Sequence, residues 1–166
     1  MGDALSRRSF LRGRFAARVR PLRPPWALVE ADFAQLCSRC GDCAAACPTR
    51  VIVAGDAGYP TLDFARGECG FCGACVAACR SGALRRQDGQ SPWSLRAAIG
   101  DACLARQRVE CRICGDLCQA AAIRFLPHRG GAAQPLLDAA RCTGCGACVA
   151  PCPARAIAVA EGGDVG

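Results

Sequence analysis

The chain has 166 residues, 52% of them hydrophobic but only 5% aromatic, which fits one domain or two small ones with a thin apolar core. Sixteen cysteines stand in it, so the cross-links that a small core needs come from disulfides or metal. The net charge of +7 is local: residues 1–25 set seven arginines against one acid, Asp3, while the rest sets 14 arginines against 13 acids, and no stretch of 18 apolar residues offers a membrane-spanning helix.

The basic arm comes first. Residues 5–20 read LSRRSFLRGRFAARVR, and SRRSFLR looks like a twin-arginine export signal. Such a signal needs an apolar segment of roughly 7–15 residues behind its basic start. Here Arg12, Arg14, Arg18 and Arg20 interrupt everything that follows, at about 2.5–3.5 kcal/mol for each arginine placed at the centre of a membrane helix. The expectation is therefore a cytoplasmic protein whose arm does not export it. Leu11, Phe15 and Val19 fall on one side of a helix that Pro21 would end. That pattern suits a disordered basic tail, a partner-docking helix carrying Arg7, Arg8, Leu11 and Phe15, or a helix lying on a membrane surface. Nucleic-acid binding is not expected, because no aromatic ladder accompanies the charge. RPLRPPW then reads as a Pro-rich linker, so residues 1–29 are assigned to the arm and linker.

Four cysteine groups follow: CSRCGDCAAAC (37–47), CGFCGACVAAC (69–79), CLARQRVECRICGDLC (103–118) and CTGCGACVAPC (142–152). Three have the spacing C-x2-C-x2-C-x3-C, and the third stretches its first gap to seven residues. An apolar pair comes four and five residues after each last cysteine: Val51–Ile52, Ala83–Leu84, Ala122–Ile123 and Ala156–Ile157. A repeat that keeps both features is a duplicated structural unit. Each triplet is expected in a loop, with a helical turn carrying the fourth cysteine away (Ala44–Ala46, Val76–Ala78, Val149–Pro151) and the apolar pair opening a strand. Residues 51–64 read as a hairpin around Gly55–Gly58, and 123–138 repeat it. The polar stretch 85–95, with Pro92, marks the boundary between halves. The fold class is thus α+β, two tandem ferredoxin-like modules at 30–90 and 91–166, each built around two metal clusters.

Disulfides suit this pattern poorly, because cysteines two residues apart in one loop make a bad framework. Zinc sites usually combine two separated pairs. Three cysteines in seven residues plus a distant fourth is the bacterial ferredoxin run for 4Fe–4S clusters, whose fourth cysteine serves the other cluster. Crossed ligation then gives four quartets. The first is Cys37, Cys40, Cys43 and Cys79; the second Cys69, Cys72, Cys75 and Cys47; the third Cys103, Cys111, Cys114 and Cys152; the fourth Cys142, Cys145, Cys148 and Cys118. Gly41, Gly70, Gly73, Gly115, Gly144 and Gly146 would let the backbone wrap a cluster and aim N–H groups at its sulfurs. Pro48 and Pro153 occupy the usual place after the fourth cysteine, where the middle groups have Arg80 and Gln119. Four oxidised clusters would add a charge on the order of −8, leaving an acidic body behind a basic arm.

The SRR start with Gly13–Arg14, RPPW at 23–26, AGYP at 57–60, IGDACLA at 99–105 with its long gap to VEC, and QPLL ahead of CTGCGAC resemble the ferredoxin-type NapF family of bacterial periplasmic nitrate reductase systems. The resemblance covers nearly the whole chain, and the stretched third group is its most specific feature. It implies a cytoplasmic protein with four 4Fe–4S clusters that acts on the catalytic subunit NapA before its export. That subunit holds a molybdenum cofactor and its own 4Fe–4S cluster. From a different class, a ferredoxin-like electron carrier fits the same cysteines. No residue set for bond-making catalysis is visible, so an enzyme is not expected. His128 reads as a solvated loop residue, Trp26 and Trp93 as packing residues, and Arg39, Arg112 and Arg141 as charges beside ligands.

Overall fold

The computed structural model describes residues 21–162. In chain order the elements are α1 (Glu30–Leu36), α2 (Asp42–Ala45), β1 (Ile52–Ala54), β2 (Pro60–Leu62), α3 (Ala74–Ala77), β3 (Leu95–Ile99), α4 (Ile113–Asp116), β4 (Ile123–His128), β5 (Gly131–Leu137) and β6 (Ile157–Glu161). The strands form three antiparallel two-stranded sheets, β1–β2, β4–β5 and β3–β6.

Both expected hairpins are present. Ile52 pairs with Leu62 and Ala54 with Pro60, across a turn in which Ala57 and Gly58 take positive φ. In the second half Ile123 pairs with Leu137, and the register shifts between Leu126 and His128, where Pro127 has no N–H for the ladder. All eight residues of the four apolar pairs are buried. Three of the pairs open strands, whereas Leu84 makes only an isolated bridge to Ala27.

That bridge draws the expected linker into the first half. Pro24 and Trp26 are buried; the Leu28 N–H donates to the Ala83 carbonyl at 3.1 Å and the Arg85 N–H to the Trp26 carbonyl at 2.9 Å. The Leu22 carbonyl accepts from the Leu62 N–H and the Thr61 hydroxyl. Arg23 clamps the segment: its guanidinium makes two bonds to the Glu30 carboxylate (2.9 and 2.6 Å), one to the Pro60 carbonyl (3.0 Å), and lies over the Phe33 and Tyr59 rings. A planar fork with five donors can make these contacts together; a lysine cannot. Glu30 and Asp32 sit in the first turn of α1, where negative charge suits the helix dipole, and Phe33 is fully buried beneath them.

The largest apolar cluster gathers Phe33, Val51, Ile52, Leu62, Phe64, Ala83 and Leu84 with Cys43 and Cys75. It also takes in Leu95 from β3, with Trp93, Val149 and Val159 packed against it. A second cluster holds Ala97, Ile123 and Ile157 with Cys114 and Cys148, and a small third one holds Cys103, Ala105 and Ala156. Val149 and Val159 touch both of the larger clusters, so the halves share packing across 85–95, a stretch without regular structure up to Leu95.

Candidate metal centres

The local geometry around the cysteines repeats. Gly41, Gly73 and Gly146, each directly after a second cysteine, have φ near +80°, which lets the loop reverse into the next turn. The third cysteine of the first three groups, Cys43, Cys75 and Cys114, lies inside a four-residue helix (α2, α3 and α4) rather than in the loop. The fourth group makes turns over 147–151 in place of a helix. Three residues past each fourth cysteine stands a residue with positive φ: Arg50, Gly82, Ala121 and Arg155. Its N–H donates back to the carbonyl of that cysteine, at 3.2, 3.4, 2.8 and 3.1 Å respectively. Three of the four are not glycine, and an L residue held there costs about 1–2 kcal/mol. The turn aims the next N–H groups at sulfur. Leu84 N–H donates to Cys79 Sγ at 3.4 Å, Ala122 to Cys118 Sγ at 3.3 Å and Ala156 to Cys152 Sγ at 3.3 Å. The N–H groups of Val51 and Ile52 do the same for Cys47.

The structure brings each quartet together. Cys47, Cys69, Cys72 and Cys75 line one cavity with Val51, Ile52 and Phe71. Cys103, Cys111, Cys114 and Cys152 line a second with Phe125 and Ile157, and Cys118, Cys142, Cys145 and Cys148 a third with Ala97 and Ile123. Cys43 is buried beside Cys37, Cys40 and Cys79. All sixteen cysteines are free thiols. Among the described residues no group of three or more Cys, His, Asp or Glu closes around a point that would hold one ion. Three of the quartets instead surround spaces lined mainly by apolar side chains and glycine.

The electrostatics suit a cationic guest. Burial, with neighbouring cysteines of the same and the adjoining quartets, pushes the thiols of Cys43, Cys69, Cys75 and Cys114 up to about 11 and that of Cys148 up to about 12. Crowded sulfurs in a dry cavity resist ionising, and a bound metal reverses that balance by supplying the opposite charge. The fourth cysteines of the first half differ. Burial pushes Cys47 and Cys79 up, yet hydrogen bonds more than offset it and hold both below the ordinary thiol value. Those bonds include hydroxyls: Thr49 Oγ1 lies 3.5 Å from Cys47 Sγ and Ser81 Oγ lies 3.6 Å from Cys79 Sγ. Sequence reasoning passed over Thr49 and Ser81, although a hydroxyl residue two places past a ligand is a readable signal. An all-thiolate donor set is the soft one that zinc and iron–sulfur clusters favour, and quartets with this backbone support fit a 4Fe–4S cluster.

Of the remaining residues, Arg39 lies over the Tyr59 ring and Arg112 pairs with Glu110 at 2.7 Å, while Arg141 is exposed. His128 is exposed at the end of β4. Arg7, Arg8, Leu11 and Phe15 lie outside the described residues. No helix among the described residues is long and apolar enough to cross a membrane.

Two segments with one plan, each closing two cysteine quartets, define a tandem dicluster protein of the ferredoxin type. The 4Fe-4S dicluster domain family matches residues 36–83 and 107–156. The ferredoxin-type protein NapF of Haemophilus influenzae is 46% identical over 165 residues, covering 93% of each chain, and that of Escherichia coli K12 is 44% identical over 92% of each. The methylamine utilization ferredoxin-type protein MauM of Methylobacillus flagellatus is 30% identical, over 87% of this chain and 69% of that one. The chain belongs to the ferredoxin-type NapF family.

Proposed function

We propose that each quartet holds a 4Fe–4S cluster, and that the loaded protein is a cytoplasmic accessory in the maturation of NapA, the catalytic subunit of periplasmic nitrate reductase, before that subunit is exported. One observation carries the cofactor reading: all sixteen cysteines sort into four all-sulfur quartets with none left over. The maturation role rests on membership of the NapF family over nearly the full length. A bound cluster supplies one-electron exchange and a source of iron and sulfide. The chain's own part is to offer thiolates, brace the fourth cysteines with N–H donors, and keep water from the buried ones. A purified, oxygen-free preparation should carry about 16 iron and as much sulfide; stoichiometric zinc without visible absorption overturns the cofactor reading.

An electron carrier is the second reading, favoured by the closeness of neighbouring quartets such as Cys43 beside Cys75. Mixing loaded protein with cluster-free NapA, without oxygen, separates the two. A maturation factor binds the unloaded subunit more tightly than the mature one, and the subunit ends with iron. A carrier prefers the mature subunit or neither. The basic arm is a docking element in this scheme. Deleting residues 1–20, short of the Leu22 carbonyl that β2 uses, should weaken binding and leave the iron content unchanged.

A further inference from the structure

The motifs run first, second, third, fourth along the chain, but the structure joins the quartets in another order. Within the first half, α2 packs on α3, and Cys43 and Cys75 belong to one buried cluster. Within the second half, Cys114 and Cys148 share a buried cluster. Between the halves, the Cys69 N–H donates to the Cys145 carbonyl at 2.8 Å, joining a ligand loop of the second quartet to one of the fourth. The third quartet faces away from this joint: Cys103 packs with Ala105 and Ala156, and every residue around that cluster comes from the second half.

Side chains hold the joint on both sides. The Trp93 ring meets Phe71, which sits between Cys69 and Cys72, at 5.3 Å and 66°, and meets Phe64 at 6.3 Å, edge to face. Its indole N–H donates at 2.8 Å to the carbonyl of Thr143, which sits between Cys142 and Cys145. One residue therefore grips a loop of each quartet. Gly146, next to Cys145, lies so close to Phe64 that any Cβ there would run into the ring, and a Cβ at Gly144 would meet the Leu95 backbone. The fourth group can lie against Phe64 of the first half only because Gly146 has no side chain, and Gly144 lets the same loop lie against β3.

We infer that the four quartets form one unbranched row in the order first, second, fourth, third, and that Trp93 and Phe64 are the positioning residues of its middle step. The row rests on the iron–sulfur reading above. It places the Cys37 group and the Cys103 group at opposite ends, so the stretched third motif is an end of the row rather than an inner station.

The test uses full-length chains loaded without oxygen and reduced by dithionite, each cluster taking one electron from it, with EPR as the readout. A chain carrying Cys37→Ala, Cys40→Ala, Cys103→Ala and Cys111→Ala keeps the second and fourth quartets. One carrying Cys37→Ala, Cys40→Ala, Cys142→Ala and Cys145→Ala keeps the second and third. Iron assay of each should give about half that of the unaltered protein. The first should show spin–spin splitting and the second two isolated signals; equal splitting, or splitting only in the second, overturns the order. Should either chain lose more than two clusters, Trp93→Ala with all sixteen cysteines serves instead. It should keep about 16 iron while its signal falls apart into two separate pairs, and an unchanged pattern overturns the positioning role. An unaltered chain that holds no iron sinks the cofactor reading instead, whatever the order.

Discussion

The two halves repeat one plan but hold it by different means. In the second half the two ends pair as a five-residue ladder, Leu95–Ile99 against Ile157–Glu161. In the first half the same closure shrinks to the single Ala27–Leu84 bridge. The cause lies in residues 21–26, where Pro21, Pro24 and Pro25 bring no N–H and Trp26 has a φ of 58°. Packing compensates. The first half buries Phe33, Phe64 and Trp26 and adds the Arg23 clamp, whereas half of the buried apolar residues of the second half are alanine: Ala97, Ala105, Ala122, Ala132, Ala133 and Ala156. One half is held by side chains and the other by ladders. The sulfurs differ as well, because Thr49 and Ser81 give hydroxyls to the fourth cysteines of the first half, where the second half has Ala120 and Ala154.

The sharpest break in the comparison is to remove one ligand. Cys103→Ala should lose one cluster, about a quarter of the iron, and leave both first-half clusters in place. Iron assay and EPR read this, and loss of all four together would show that the halves do not load separately. Next comes the packing-held half. Phe33→Ala should cost about 3–5 kcal/mol, seen as bleaching of the first-half clusters at lower urea while those of the second half persist. The ladder-held half has a matching weak point. Gly100 and Ser94 bond to Ala156 and Gly162, so the alternation of an antiparallel pair puts Ala98 opposite Ala158 in a hydrogen-bonded position. Ala98→Pro should therefore cost about 3 kcal/mol in the second half alone. The smallest effect concerns potential. Hydrogen bonds to a cluster's sulfurs favour its reduced, more negative form, so Thr49→Ala and Ser81→Ala should each lower the potential of one first-half cluster, by up to about 50 mV. Redox titration followed by EPR checks this, and a rise in potential would contradict the comparison.

Much of this was legible in the sequence because cysteine spacing and apolar pairs report directly on local geometry. The hairpins at 52–62 and 123–137 and the burial of Val51–Ile52 and its three counterparts follow from those signals. Residues 21–28 carry the proline punctuation of a linker, yet Pro24 and Trp26 are buried by tertiary contacts that no local signal carries. The left-handed backbone at Arg50, Ala121 and Arg155 was equally hidden, since the usual marker is glycine and only Gly82 supplies it. Placing Cys43, Cys75 and Cys114 in loops missed that a single helical turn can carry a ligand inward. The joint between Cys69 and Cys145 depends on contacts some 75 residues apart in the chain, beyond any periodicity.

The closure of each half by its own two ends also bears on how the protein is made. Ala27 meets Leu84, and β3 meets β6, so each half completes its perimeter without the other. The first two quartets use only residues between Cys37 and Cys79. A ribosome that has released residue 85 has therefore delivered both quartets and the Ala27–Leu84 bridge of the first half before the second pair of motifs has been translated, while Trp93 and Leu95 of its apolar cluster follow. Domains that emerge first can fold first. The contact between Cys69 and Cys145 has to wait for the second half, so the order of synthesis places it after the first pair of quartets.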